Sequence, residues 1–372
     1  MGGCILKRPI TLLIAVVISV IALSIMFPTG PGEIDIISRI RLAKEKPAVT
    51  ETVKEYKIDE ISRLSDSGNA IAWSHDEKSL YCSAGVQDTD DYGLEDLYLF
   101  DLQGNKKKIN SKIKLYNISD AKWSSDFNML AFISTHDEKS SLIIYDVERN
   151  AMKDITPKNV LDVGVTSYDW DNESLNIIMS VDISNPRIEI YNLKSGKSGK
   201  LDISLKECRN VSFFTNGKII FSANDGNKYK IYEADMYGKN VVPITEGWDF
   251  NISPDRHKLS ILSDGDGQRG LWIYDMTSHE KSGISVSPIY EAYWLDDSTS
   301  LMYSIELDSR NTEIYKGTIY CYGKDGKTTN VSGAIYTRFV PSLGGNKIAM
   351  ISPESYKVKK EDKGIFIGNI YR

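Results

Sequence analysis

Histidine, cysteine and any excess of positive charge are what this 372-residue sequence has little of. It carries four His, four Cys, and 45 Lys and Arg against 51 Asp and Glu, for a net charge of −6. Without a basic face there is little to release counterions from a nucleic-acid backbone, so DNA and RNA are not expected partners. Cys4, Cys82, Cys208 and Cys321 form no C-x-x-C pair and no tight cluster, which argues against a zinc cage or a disulfide framework. They read as free thiols, and Cys82 and Cys321 sit in strand-like apolar runs where a small buried hydrophobe is the usual role. His75, His136, His257 and His279 fall in turns and loops of different segments, so a shared histidine site for metal or proton chemistry is not expected. No resident metal or cofactor is expected either. A G-x-S-x-G nucleophile elbow is missing. The glycine-rich "SDGDGQRG" (263–270) precedes no helix that would aim amides at a phosphate, so it reads as a hairpin loop.

Long apolar runs are missing too, with one exception near the start. After Lys7 and Arg8 the stretch from Pro9 to Phe27 is uncharged, about the length a helix needs to cross a hydrocarbon core. It reads as a single transmembrane helix and an uncleaved anchor. A cleaved signal peptide is the alternative, disfavoured because the apolar core is long and "ALSIMFPTG" is a poor small-x-small cleavage site. Lys7 and Arg8 would hold residues 1–8 in the cytoplasm and place the rest outside it. Arg39, Arg41 and Lys44 weigh slightly the other way. Cys4 precedes the apolar core instead of following it, and Leu6 spoils the myristoylation pattern. Residues 28–57, "PTGPG" and then a charged run, read as a stalk.

What is abundant is β chemistry. Twenty-one Tyr and 27 Gly, with many Ile, Ser and Asn, favour strands joined by turns. The phrase "AKWSSDFNMLAFIS" (121–134) recurs as "AIAWSHDEKSLYCS" (70–83), "TSYDWDNESLNIIMS" (166–180), "NISPDRHKLSILS" (251–263) and "EAYWLDDSTSLMYS" (291–304). Looser copies stand at 211–223 and 338–352. Two landmarks repeat seven times in step. An apolar residue opens the second strand at Leu80, Leu130, Leu175, Ile219, Leu259, Leu301 and Ile348. A run of the form apolar-x-apolar-x-Asp/Asn closes at Asp101, Asp146, Asn192, Asp235, Asp275, Gly323 and Asn369. Each unit then holds strands a and b around a polar turn, strand c at the "IYD" run, and a short strand d such as "KDIT" (153–156) or "VPIT" (242–245). Four strands in forty-odd residues is a β-propeller blade. The expectation is an all-β, seven-bladed β-propeller of four-stranded antiparallel blades over 58–372, preceded by one transmembrane helix at 9–27. The seventh unit lacks a strand d, and "DEISRL" (59–64) carries Ile61–Ser62 in the manner of Ile155–Thr156 and Ile244–Thr245. Residues 58–64 are therefore expected to close the ring as the outer strand of the last blade.

The repeats resemble the WD40-like (PD40) repeats of the TolB β-propeller family, whose motif runs about W-S-P-D-G-x-x-I-A-F and then I-Y-v-x-D. Trp73-Ser74-x-Asp76, Trp123-Ser124-x-Asp126 and Ser253-Pro254-Asp255 carry the match, and the resemblance spans about 58–372. TolB itself resembles a six-bladed propeller behind a separate α/β domain, whereas seven units and a stalk stand here, so no Tol–Pal role is transferred. The hydrolase domain of propeller-bearing serine peptidases is not expected. Trp73, Trp123 and Trp294, recurring at one repeat position, are expected to pack between blades.

Candidate chemistry concentrates in the b–c and d–a connections, which share one face of a propeller. The b–c loops lengthen in unit 1 (84–96, acidic), unit 6 (306–316, polar) and unit 7 ("ESYKVKKEDK", 354–363, basic). The acidic loop holds Asp88, Asp90, Asp91, Glu95 and Asp96, a set that hard cations such as calcium can use, but the spacing of an EF-type loop is absent and a solvated loop is the reading preferred. The d–a segments carry Tyr116, Arg209, Trp248, Asp249, Tyr290, Glu291, Tyr336 and Arg338. Aromatics and arginine at a ring mouth are what recognition surfaces use, and these eight are the candidate ligand-binding residues. No catalytic residue is nominated. The expected function is a membrane-anchored, extracytoplasmic, non-catalytic binding or scaffold module for a protein, peptide or glycan. The alternative is a propeller lyase or hydrolase acting on cell-surface carbohydrate.

Overall fold

Apolar residues at every second position, bounded by Ser, Asp, Asn and Gly, fold in the computed structural model into antiparallel strands grouped in seven sheets. The structure describes residues 56–371 apart from 216, 264–269, 286–288, 307–316, 333–335, 337, 353–362 and the side chains of Tyr290 and Glu306. The segment 9–27, nearly all of the stalk, and most of the b–c loops of units 6 and 7 lie outside the described residues. Among the described residues no helix is long and apolar enough to cross a membrane.

The innermost strands of the seven blades are Asn69–Trp73, Ile118–Trp123, Val165–Trp170, Val211–Phe213, Asp249–Ile252, Ile289–Trp294 and Arg338–Pro341. Each sheet has four strands, and blade 1 gains a fifth, Leu115–Tyr116, against its strand c. Register is common to all blades. The last residue of strand a faces the first apolar residue of strand b in the pairs Trp73–Leu80, Trp123–Leu130, Trp170–Ile177, Phe213–Ile219, Ile252–Leu259, Trp294–Leu301 and Pro341–Ile348. All seven of the strand b residues are completely buried. This corrects one landmark: in blade 3 the core residue is Ile177, while Leu175 is 46% exposed in the preceding turn. The Asp or Asn that closes strand c caps the c–d turn, as when the Asp101 carboxylate accepts the amides of Gln103 and Asn105 at 3.0 and 2.9 Å.

The repeated tryptophans join blades by hydrogen bonds as well as by packing. The indole N–H of Trp73 donates to the Val340 carbonyl at 2.9 Å, Trp123 to Trp73 at 2.8 Å, Trp170 to Lys122 at 3.0 Å and Trp294 to Asn251 at 3.1 Å. In each pair the acceptor lies on strand a of the preceding blade. Blade 5 has Ile252 in place of Trp, and there the Arg256 guanidinium donates to the Phe213 carbonyl of blade 4 instead, at 3.2 Å.

Every a–b turn also places one residue at positive φ: Glu77, Phe127, Ser174, Gly217, Arg256, Ser298 and Gly345. Glycine would be the unstrained choice, yet five of the seven are not glycine. Each of those five side chains reaches an adjacent blade. Glu77 accepts the Gly344 amide at 2.5 Å, Ser174 that of Asp126 at 3.0 Å and Ser298 that of Asp255 at 2.8 Å. Phe127 stacks on His75 with centroids 4.1 Å apart, and Arg256 makes the bond just described. Backbone strain in the turn is thus offset by a contact that holds neighbouring blades in register.

The ring closes between distant parts of the chain. Lys57–Ser65 pairs antiparallel with Ile365–Tyr371 and completes the sheet that begins at Arg338. The closing strand is as expected, but its matching residues are not. Ser65 faces Ile365, the position that Thr245 occupies opposite Ile231 in blade 4. Leu64–Ser65 therefore stands where Ile155–Thr156 and Ile244–Thr245 stand, and Leu64 is 8% exposed. Register shifts between Asp59 and Ser62, and Ile61 is 44% exposed. A bulge adds a residue to one strand only, which is why matching the motif by sequence slipped.

Replacing Trp170 with Phe keeps most of the packing but strips the Lys122 carbonyl of its partner. The expected result is a loss of about 1–3 kcal/mol in urea unfolding with an unchanged circular dichroism spectrum.

Candidate functional site

Counting back from the end of strand a, the residues one and three places before it face the ring axis. One place back stand Ala72, Lys122, Asp169, Ser212, Asn251, Tyr293 and Val340; three places back stand Ala70, Asp120, Ser167, Asn210, Asp249, Glu291 and Arg338. Alternation of side chains along a strand sets this period of two where pairing is regular; in blades 1 and 2 a register shift falls between Ala70 and Ala72 and between Ser119 and Lys122. Apart from Ser167, these residues line two adjoining cavities of about 540 and 260 Å³. Lys122 and Asn251 border both, so they partition the axis. The two alanines of blade 1 leave the space that becomes the larger cavity.

Charge in the larger cavity is arranged in pairs and shares. The Arg338 Nε donates to Glu291 Oε1 at 2.8 Å, and Glu291 Oε2 accepts the Phe339 amide at 3.1 Å. Burial still raises the Glu291 carboxyl, against the pull of Arg338. Lys122 donates to the Tyr168 carbonyl at 2.7 Å and lies 3.7 Å from Asp120. Burial lowers its ammonium, but Asp120, Asp169 and Asp249 outweigh that and leave it raised. Asp249 accepts Asn210 Nδ2 at 2.5 Å and the Phe250 amide at 2.9 Å, and Asp169 accepts the Ser212 hydroxyl and the Phe213 amide. Desolvation raises both carboxyls.

Of the eight nominated residues, Asp249, Glu291 and Arg338 converge on this cavity. Tyr116 lies on the fifth strand of blade 1, away from the cavity, its hydroxyl donating to Asp91 at 3.1 Å and its ring stacked on His136 at 4.0 Å. Arg209 is exposed, with its guanidinium 4.6 Å over the Tyr229 ring. Trp248 is half-buried, and its amide donates to the Leu262 carbonyl at 2.9 Å. Tyr290 belongs to strand Ile289–Trp294, with its side chain outside the described residues. Tyr336 is 8% exposed and packs on Phe366 with centroids 5.4 Å apart, so its ring belongs to the core.

Sequence reading passed over Asp120, Lys122, Asp169, Asn210, Asn251 and Tyr293. The available signal was polarity one and three places before Trp123 and Trp170, in "SDAKW" and "SYDW". It also passed over a buried serine in or just after the last part of every strand b: Ser83, Ser134, Ser180, Ser222, Ser263, Ser304 and Ser352. Several of these pin the rim. Ser134 accepts the Tyr116 amide at 2.9 Å, Ser222 accepts that of Asn210 at 3.1 Å, and Ser180 donates to the Cys208 carbonyl at 2.6 Å.

The acidic loop disperses its carboxylates. Asp91 pairs with Lys114 at 2.7 Å, Asp96 with Lys108 at 2.6 Å, and Glu95 accepts the Ile118 amide at 2.6 Å. Among the described residues no group of three or more His, Cys, Asp and Glu is placed to hold a metal ion. Cys82, Cys208 and Cys321 are buried and form no disulfide with one another, and burial pushes the Cys208 thiol up to about 12.

No protein-family model matches the sequence and no curated protein resembles it. Solved structures do resemble it in fold. TolB from Acinetobacter baumannii superposes with a TM-score of 0.50 at 15% identity, over 65% of this chain and 61% of that one. The chain thus spans less than two thirds of the TolB structure. An oligogalacturonate lyase in complex with manganese gives 0.62 at 12% identity, over 86% and 96%. A chain of the mitotic checkpoint complex gives 0.56 at 12%, over 88% and 96%. The TolB-like and WD40-like resemblance read from the repeats therefore holds at the level of fold, and identities this low carry nothing further.

Asp249 has a raised carboxyl in the folded state, so its charge opposes folding above that pKa, and protonation on acidification relieves the cost. Asp249→Asn removes the charge while retaining an oxygen for Asn210 and Phe250. The variant is expected to be more stable than the parent at pH 7, with the difference shrinking as pH falls toward the unfolded value near about 4, as read by urea unfolding across that range.

Proposed function

We propose that this propeller is a non-catalytic binding module that receives a protein or peptide ligand on the b–c and d–a face, at the mouth of the central cavity. The observation that supports this reading most is convergence: Asp249, Glu291 and Arg338, from three different blades, border one cavity of about 540 Å³, a size in the range of ligand pockets. Arg209 and Trp248 lie on the connections around it. The polar side chains are held by one another and by backbone amides, which suits a fixed recognition surface better than a site that must move protons. The uncharged stretch from Pro9 to Phe27 behind Lys7 and Arg8 supports anchoring in a membrane with the propeller outside the cytoplasm, where residues 28–57 hold it off the bilayer.

A carbohydrate-active enzyme is the second reading. The raised carboxyls of Asp249 and Glu291 on one cavity favour it, as does the fold shared with oligogalacturonate lyases. Against it, Asp249 is engaged by Asn210 and Phe250, and Glu291 by Arg338 and Phe339. Nor is any described carboxylate set placed for the manganese named with that neighbour.

Affinity capture from membrane extract tests the first reading, comparing the full chain with the Arg209→Ala/Trp248→Ala variant. A specific partner recovered by the parent and depleted at least about tenfold by the variant, about 1.4 kcal/mol, with unfolding temperature unchanged, is expected. Equal recovery by a folded variant overturns the assignment of the face. Formation of an unsaturated uronate from oligogalacturonate and manganese would favour the enzyme.

A further inference from the structure

The larger cavity has two unlike ends. Toward the a–b turns its wall includes Trp73, Trp123, Phe127, Pro341 and Leu343 beside Ser124 and Ser125; toward the d–a connections it includes Asp120, Asp249, Glu291 and Arg338. Leu343 and Tyr293 expose 41% and 37% of their surface, although both line this cavity.

Charge along the axis does not balance. Four carboxylates, Asp120, Asp169, Asp249 and Glu291, face three cations, Lys122, Arg256 and Arg338. Glu291 and Arg338 close on each other at 2.8 Å. Asp169 feels both Lys122 and Arg256. That leaves Asp120 and Asp249 to share Lys122, whose ammonium is tied to the Tyr168 carbonyl at 2.7 Å and stands 3.7 Å from Asp120. The Asp120 side chain is 42% exposed, which at this position means open to the cavity. The larger cavity thus holds three carboxylates, Asp120, Asp249 and Glu291, against two cations, Lys122 and Arg338; a net negative charge in front of apolar walls favours ligands of the opposite sign, and aromatic faces add cation–π attraction.

We infer that the central cavity is a binding site for an organic cation with an apolar body, an ammonium or guanidinium head set against Asp120 and its apolar part against Trp123, Phe127 and Leu343. Resting on the same cavity as the proposed function, this inference adds the chemical class of what enters it. The head is supplied either by a free amine or by the Lys or Arg side chain of a docked peptide.

Titration of the full chain, followed by tryptophan fluorescence and calorimetry, tests it with phenethylamine, its neutral isostere phenethyl alcohol and its acid counterpart 3-phenylpropionate. Capped peptides bearing a single Arg, or norleucine in its place, form the second arm. The amine, the Arg peptide or both should bind at least about tenfold tighter than their uncharged counterparts, about 1.4 kcal/mol. Asp120→Asn should abolish that preference. Asn suits the position because Asp120 has φ 47° and Asn tolerates that region. Its backbone carbonyl still accepts the Tyr168 hydroxyl, so the fold is retained. Leu343→Trp, which narrows the apolar end, should weaken all probes together. Binding of the amine alone identifies a small-molecule source and binding of the peptide a macromolecular one. Preference for the acid, an Asp120→Asn variant that binds as the parent does, or no detectable binding of any probe overturns the inference. Macromolecular capture that survives Asp120→Asn while amine binding is lost leaves the binding face in place and separates the two readings.

Discussion

The pairing of Lys57–Ser65 with Ile365–Tyr371 is the constraint on which the other features depend. Each blade buries its faces only against its neighbours, so an open array would leave two sheet faces and one strand edge in water. Joining the two ends of the described chain in one sheet makes the seven inner strands a closed wall. Only then do residues from blades 2, 5, 6 and 7 face one cavity.

Closure alone would leave the blades free to slip, and the a–b turns prevent this. Indole-to-carbonyl bonds and the side chains at positive φ both run from one blade to the preceding one. In blade 5 one device replaces the other: Ile252 cannot donate, and Arg256 does so in its place. Gly217 and Gly345 mark turns that relax the backbone and forgo the contact. This trade explains why the turns depart from the W-S-P-D-G motif at its glycine.

Blade number, strand order and the identity of the closing segment were legible in the sequence because each depends on local alternation and on turn residues that recur at a common spacing. What was not legible was register within a bulge. Ile61 and Leu64 are both apolar, and only pairing shows that Leu64 fills the core. Leu175 and Ile177 differ for the same reason. The cavity was half legible: Asp249, Glu291 and Arg338 were singled out for lying near d–a connections. Asp120, Lys122 and Asp169 were passed over because a polar residue inside a strand reads as facing solvent until the ring places it on the axis. Tyr336, chosen by the same proximity, packs on Phe366 instead.

The central claim is that residues near the start of the propeller complete its last blade as part of one cooperative structure. Native-state hydrogen exchange measures this directly. Amides of 57–65 that pair with 365–371 are expected to exchange only through the same opening that frees the buried strands of blades 2 and 3, with a common dependence on denaturant. Exchange of 57–65 at rates near those of an unstructured peptide, with the rest of the ring still protected, would show that the ends are not joined and would contradict the account.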